Sequence, residues 1–323
     1  MKYTDTKIVF MGSSDFAVPA LDALHREGYQ IPYVVTRPDR IRGRGNKVRP
    51  TPIGLYALEN SLSLLKPENL KTDETFAMAL TDAAPDLLVV ASYGSILPKS
   101  LLDLPAIGCV NIHASLLPEY RGAAPVQRAI LDGKEETGVT LMYVSEGLDT
   151  GDMISSLSLT VSGMNAGELT DALSRLGAKL LIGTLPGLIE GTAPRIPQDD
   201  SKATYAEKIG KADGRLDLHE STEMIARRVL AMTPVPGAFV TRDGERILIT
   251  KAGAVSPDEN VLKGELYKKA APGTVISVSD KGIYVRTGDG LLLIEALKMP
   301  GKKDMPVREY LKGNAFDTAL PLE

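Results

Sequence analysis

The sequence predicts an α/β fold in two domains: a doubly wound, mainly parallel sheet over residues 1–190, a linker over 191–206, and a small β-barrel of the oligonucleotide-binding (OB-like) kind over 207–323. Three observations predict it. Residues 7–190 alternate short apolar runs with amphipathic stretches, and strand, helix, strand at this spacing implies parallel pairing through right-handed crossovers. The stretch 191–206 holds Pro194, Pro197, Asp199, Asp200 and Ser201 without hydrophobic periodicity. Beyond it, one short helix is followed by strand-forming runs separated by glycine-rich turns, the pattern of a small β domain.

In chain order, the first strand is 8–12, where Ile8-Val9-Phe10-Met11 is continuously apolar, as a strand covered on both faces requires. Similar runs predict strands at 33–36, 87–92, 110–114 and 139–144, with helices near 16–27, 51–60, 73–83, 123–133 and 165–189. After the linker, a helix over 220–232 precedes strands at 238–242, 246–251, 273–278, 283–287 and 291–296. Ligands of doubly wound sheets sit beyond the carboxyl ends of the strands, so the residues that follow each strand are the place to look for chemistry.

Composition narrows the function classes. The chain has 323 residues, 43% hydrophobic and 24% charged, with a mean hydropathy of −0.03, which describes a globular chain rather than a disordered or fibrous one. Contiguous apolar runs such as 87–91 and 291–294 fall far below the roughly eighteen residues of a membrane span, so no membrane partner is expected. A polar start over 1–7 predicts neither signal nor transit peptide, and a lone Cys109 forms no internal disulfide; a reducing cytoplasm is expected. Net charge is −4, which argues against nucleic acid until its distribution is considered: 19 basic against 24 acidic residues precede Tyr205 (net −5), and 18 against 17 follow from there (net +1). Within the acidic part, Arg37, Arg40, Arg42, Arg44, Lys47 and Arg49 are opposed by Asp39 alone. In the second part, Lys263, Lys268, Lys269, Lys298, Lys302 and Lys303 suggest a surface that tracks a phosphate backbone, provided the fold brings them together.

The candidate chemistry centres on Asn111-Ile112-His113 at the end of a predicted central strand. Alternation puts Asn111 and His113 on one face, where an amide and an imidazole donate to one oxygen and so stabilise a developing oxyanion. The other reading of His113 is a hydrogen-bonded core histidine; His25 and His219 read as ordinary surface residues. Asp149, in the tight loop Ser145-Glu146-Gly147-Leu148-Asp149-Thr150-Gly151-Asp152 after the next strand, is placed to reach His113 across neighbouring strand ends and accept a proton. A turn-forming role for Asp149 stays open, and Asp152 reads as a turn former. Tyr93-Gly94-Ser95-Ile96-Leu97-Pro98 suits either a flat pocket with exposed backbone groups or a plain β–α connection. No serine sits in a nucleophile elbow, no His/Cys pairs have metal spacing, and the turn Gly12-Ser13-Ser14-Asp15 has one glycine where a dinucleotide fingerprint needs three.

The stretch from Asn111 to Arg128, through Ser115-Leu116-Leu117-Pro118-Glu119-Tyr120-Arg121-Gly122, resembles a signature of the methionyl-tRNA formyltransferase family, and Gly147-Leu148-Asp149-Thr150-Gly151-Asp152 resembles that family's second one. The Asn/His/Asp set is shared with the wider folate-dependent formyltransferases. The basic run from Arg37 to Lys47 resembles the segment those enzymes insert at the tRNA acceptor end, and Thr204-Tyr205-Ala206-Glu207-Lys208-Ile209 resembles their domain junction. The chain departs from the pattern at Thr233-Pro234-Val235-Pro236-Gly237-Ala238-Phe239, where relatives often carry the tryptophan this chain lacks.

The resemblance implies transfer of a formyl group from 10-formyltetrahydrofolate to the amino group of methionine on initiator tRNA. It further implies Asn111 and protonated His113 on the oxyanion, with Asp149 keeping His113 charged and relaying the amine's proton. The pterin pocket would be built from Tyr93, Gly94, Ser95, Ile96, Leu97 and Pro98, from Ser115, Leu116, Leu117 and Pro118, and from Glu146, Gly147 and Leu148, with no metal required. Contacts to tRNA would come from Arg37, Arg40, Arg42, Arg44 and Lys47, and from Lys298, Lys302 and Lys303. Two rival readings remain: a formyltransferase acting on a nucleotide or amino sugar, and a non-enzymatic nucleic-acid-binding protein.

Overall fold

The computed structural model describes residues 3–41, 48–255 and 265–323, which divide into two compact units. The first comprises Met1–Pro125, Glu136–Thr160 and Thr170–Glu207; the second comprises Val126–Glu135, Val161–Leu169 and Lys208–Glu323.

In the first unit the strands are β1 Ile8–Gly12, β2 Val34–Val35, β3 Arg40–Ile41, β4 Val48–Arg49, β5 Leu64–Leu65, β6 Leu87–Ala91, β7 Gly108–His113, β8 Arg121–Gly122, β9 Glu136–Tyr143, β10 Met153–Thr160 and β11 Tyr205–Ala206. Seven of them form one sheet in the order β10-β9-β7-β6-β1-β2-β5. From β5 to β7 the pairing is parallel, with Ile8 opposite Leu87 and Leu87 opposite Gly108. Every residue of β1 and β6 is buried, as their unbroken apolar sequences require. The helices lie close to their expected positions. Thr51 caps Pro52–Glu59 by accepting from the Gly54 amide, and Asp73 caps Glu74–Ala83 by accepting from the Phe76 amide.

Three expectations are corrected. First, β9 runs antiparallel to β7, with Val110 opposite Tyr143 and His113 opposite Thr140. The connection between them holds the seven-residue helix Pro125–Leu131, about 10 Å long and half the length of β7, so the chain re-enters the sheet from the end it left. Second, β10 follows β9 as an antiparallel edge strand; its Met-Ile-Ser-Ser-Leu-Ser-Leu-Thr sequence carries too few apolar residues to announce it. Third, helix Ala166–Ile189 is long and apolar enough by length and composition to cross a membrane, although no single run is. Its stripe at Leu169, Leu173, Gly177, Leu181 and Leu185 follows i, i+4 spacing, and these four leucines are fully buried in the protein. Gly177 lets the helix lie directly on the sheet, because a Cβ there would stand 2.7 Å from Cγ2 of Ile112 on β7.

The second unit is antiparallel: β12 Ala238–Arg242, β13 Glu245–Ala254, β14 Val275–Ser279, β15 Gly282–Arg286, β16 Leu291–Lys298 and β17 Met305–Pro306. They pair in the order β12-β13-β16-β15-β14, with β17 on β16. The edge of β12 is covered: Thr241 and Glu323 exchange backbone hydrogen bonds, and the Leu216 amide donates to Phe239 O. The Leu322 amide in turn donates to Gly273 O just before β14, so one short segment joins both ends of the strand path.

Candidate active site

Strand β7 delivers Asn111 and His113 to one face and Ile112 to the other, where Gly177 receives it. Asn111 is half-buried, and among the described residues nothing hydrogen-bonds its side-chain amide. His113 is buried, with Nε2 2.9 Å from the Tyr120 carbonyl oxygen. A carbonyl only accepts, so Nε2 carries a proton and the ring orientation is fixed, leaving Nδ1 to face the carboxylate of Asp149 at 3.6 Å. That separation suits an ion pair but exceeds hydrogen-bond length, so a proton on Nδ1 is free to be shared with a substrate atom.

Asp149 arrives by an unexpected route. Because β9 is antiparallel, its end lies beside the start of β7, where the Val144 amide donates to Cys109 O. Cys109 and His113 are about 13 Å apart along a strand. The loop after Tyr143 therefore doubles back over the sheet to place Asp149 beside His113, rather than crossing between neighbouring strand ends. A Cβ on Gly151 would stand 1.8 Å from the Tyr143 carbonyl, so the fold-back demands glycine there. Asp149 itself has φ of +53°, and its Oδ2 accepts the Gly122 amide at 2.8 Å.

Two further supports come from residues that the sequence reading took as a linker. Strand β11 pairs in parallel with β8, holding Arg121 and Gly122 in place, and Thr204 accepts the Tyr120 amide through its hydroxyl and the Arg121 amide through its carbonyl. Gln198 donates from Nε2 to both the Asp149 and Gly151 carbonyls. The Tyr120 carbonyl, the Gly122 amide and Gln198 were missed because backbone groups have no sequence signature, and Gln198 sits in a non-periodic, proline-containing stretch.

The other expected residues fall into distinct settings. Tyr93 and Leu97 are buried, Gly94 has φ of +80°, and Pro98 leads into the short helix Lys99–Leu102. Burial pushes the Tyr93 phenol up from its ordinary value. Ser95 accepts from the Arg37 guanidinium, which lies against Gly94, so Arg37 braces this loop. Ile96 and Leu148 are 77% and 55% exposed, unusual for large aliphatic side chains, while Glu146 and Gly147 are exposed beside Leu148. Ser115, Leu116, Leu117 and Pro118 turn into their own loop: Ser115 donates to Glu119 O, Leu116 packs where a side chain on Gly138 would stand, the Leu117 amide donates to Thr140, and Pro118 O accepts the Thr204 amide. They build the turn that aims Tyr120 at His113.

Among the basic residues, Arg40 is exposed on β3, directly opposite Arg49 on β4. Arg42, Arg44, Lys47 and Lys263 lie outside the described residues. Lys298 closes β16 and is half-buried, and Lys302 and Lys303 are exposed. His25 contacts the Tyr56 hydroxyl and His219 pairs with Asp217. Cys109 is buried, its thiol pushed up to about 12 by that burial, so it is no nucleophile.

This arrangement has counterparts. Residues 6–185 match the family model of formyl transferases and residues 208–315 that of the formyl transferase C-terminal domain. The methionyl-tRNA formyltransferase of Ruminiclostridium cellulolyticum is 42% identical, over 98% of this chain and 99% of its own length. The chain belongs to the methionyl-tRNA formyltransferase family. Among solved structures, methionyl-tRNA formyltransferase from Clostridium thermocellum superposes with a TM-score of 0.53 at 16% identity, over 79% of this chain and 95% of that one. HypX from Aquifex aeolicus in complex with tetrahydrofolic acid gives 0.64 at 17% identity, over 94% of this chain; this chain spans 46% of that longer protein. At such identities these two show a shared fold. Membership makes this chain a formyltransferase, and the double match to N-terminal and C-terminal family models fits a mixed sheet followed by an antiparallel one.

Proposed function

We propose that the chain transfers the formyl group of 10-formyltetrahydrofolate to the α-amino group of methionine on initiator methionyl-tRNA, in the cytoplasm, for translation initiation. The observation that carries the mechanism is the Asn111 amide on the same strand face as a His113 ring whose Nδ1 stands 3.6 Å from Asp149. Bound formyltetrahydrofolate supplies an activated formyl carbon. Asn111 donates to the formyl oxygen as negative charge develops there, and protonated Nδ1 of His113 donates to the same oxygen. Asp149 accepts the proton released as the methionine amine attacks, directly or through one water. A proton returns to the folate nitrogen as the bond from that nitrogen to the formyl carbon breaks, so that tetrahydrofolate departs and the formyl group stays on the amine. Gly122 and Tyr120 hold Asp149 and His113 in register, so neither has to reorganise during the reaction.

The residues around this centre suit a flat pterin. Exposed Ile96 and Leu148 offer apolar surface for a ring face, and the backbone at Gly94 and over 146–148 offers donors and acceptors for its edge. The basic run with Arg40, Arg42, Arg44 and Lys47 would neutralise phosphates at the acceptor end, and Lys298, Lys302 and Lys303 would do so elsewhere on the tRNA.

The test is transfer of label from formyl-labelled tetrahydrofolate to methionyl-tRNA, with an amino-sugar nucleotide and uncharged tRNA as controls. Labelled formylmethionyl-tRNA is expected; label on the sugar alone would overturn the substrate assignment.

A further inference from the structure

We infer that Gln198 is a positioning residue for formyl transfer: its side-chain amide, oriented by Arg121, clamps the backbone of the Asp149 loop and so sets where the Asp149 carboxylate stands against His113. The inference rests on the role proposed above for Asp149. Gln198 lies outside residues 6–185, the part matched by the formyl transferase model.

Both amide protons and the amide oxygen are engaged. Its Oε1 accepts from Arg121 Nε at 2.9 Å, and its Nε2 donates to the Asp149 carbonyl at 2.8 Å and the Gly151 carbonyl at 2.7 Å. Arg121 has no acceptor to offer, so the amide has one orientation; reversed, its oxygen would face two carbonyls. Arg121 is itself fixed. Its side chain is 2% exposed, Nη2 binds the Asp200 carboxylate at 2.7 Å, and its backbone is held in the β8–β11 pair.

Asp149 needs such a clamp. Its φ of +53° is a left-handed conformation that is uncommon outside glycine, although aspartate enters it more readily than most, and bonds to the adjoining carbonyls hold it there. The two bonds from Gln198 grip the carbonyls on either side of Thr150, while Gly122 grips the carboxylate. Releasing the first pair lets the peptide rotate and carries the carboxylate away from Nδ1.

The test uses the full chain with Gln198→Glu, which preserves an acceptor for Arg121 but removes both donors, alone and combined with Asp149→Asn. Thermal unfolding and formylation kinetics are measured for each. Gln198→Glu is expected to lower kcat by about 10–100-fold, with KM for folate and for tRNA within about threefold of wild type, the signature of misplacement rather than lost binding. In the Asp149→Asn background the same substitution is expected to cost less than about threefold, because no proton-accepting carboxylate is left to misplace. Unchanged kcat in Gln198→Glu overturns the inference, and so does an equal loss in both backgrounds, which would mean that Gln198 serves the fold alone. If Gln198→Glu does not fold, Gln198→Met carries the same expectations. Full turnover in Asp149→Asn alone sinks the role of Asp149 itself, a separate failure seen without touching Gln198.

Discussion

The role proposed for Asp149 and its structural role are separated by two substitutions. Its Oδ2 both faces His113 Nδ1 at 3.6 Å and accepts the Gly122 amide at 2.8 Å. Asparagine keeps an oxygen for Gly122 but cannot take up the amine's proton, whereas alanine removes both functions. Losing a positioned general base costs about 10²–10⁴ in turnover, which at 1.36 kcal/mol per decade is about 3–5 kcal/mol of transition-state stabilisation. Leaving a donor unsatisfied costs about 1–3 kcal/mol, and half-buried Gly122 belongs at the lower end because water reaches it in part. Both variants are therefore expected to lose turnover alike, while Asp149→Ala alone loses about 1 kcal/mol of stability, which is about 2–4 °C in Tm for a domain of this size. Saturating formyl-transfer kinetics beside thermal unfolding read the two effects on one preparation. Turnover within tenfold of wild type for Asp149→Asn, or equal Tm values for the two variants, would refute the reasoning.

Asn111→Ala and His113→Ala are each expected to lower turnover by about 10²–10⁴, and the double variant by far less than the product, since both side chains act on one oxygen; single and double kcat values measure this. Arg37→Ala removes the brace on Gly94 and Ser95, so KM for folate is expected to rise by up to about tenfold with kcat retained; an unchanged KM sinks the bracing role. Burial pushes the Cys109 thiol up to about 12 from its ordinary 9.0, so the unfolded chain ionises first and stability contributed below pH 9 is lost as pH rises towards 12. Thiol reagents at pH 8 are accordingly expected to label Cys109 only after denaturant, and native labelling at the unfolded rate would contradict this. Replacing Lys298, Lys302 and Lys303 by alanine is expected to flatten the slope of log affinity for tRNA against log salt by about 2, equally for initiator and elongator tRNA; filter binding across a salt series decides.

What the sequence revealed follows the strength of its local signals. Strands β1 and β6 were legible because five consecutive buried residues leave a continuous apolar run. Asn111 and His113 were legible because strand alternation alone puts them on one face. The antiparallel direction of β9 was not, since a run of apolar residues carries no direction and the shortness of Pro125–Leu131 becomes decisive only once its limits are known. Contacts to Asp149 from Gln198 and Gly122 span 49 and 27 residues of sequence and depend on that same reversal. Proline and acidic residues over 191–206 mark the absence of regular structure, and nothing in such a pattern distinguishes a tether from a segment that braces a site.

Register ties the fold to the chemistry. Along β7, Ile112 faces the helix Ala166–Ile189 and its neighbours Asn111 and His113 face the other side, where His113 meets Asp149. A slip of one residue would exchange the two sets, burying an amide and an imidazole against Gly177 and turning Ile112 towards the substrates. The gap that glycine leaves over Ile112 cannot accept an imidazole without an unpaired polar group, so helix packing on one face penalises any slip of one residue that would take the amide and the imidazole from the other. The two side chains proposed to hold the oxyanion are thus aligned by an apolar contact on the reverse side of the sheet, made before any substrate arrives.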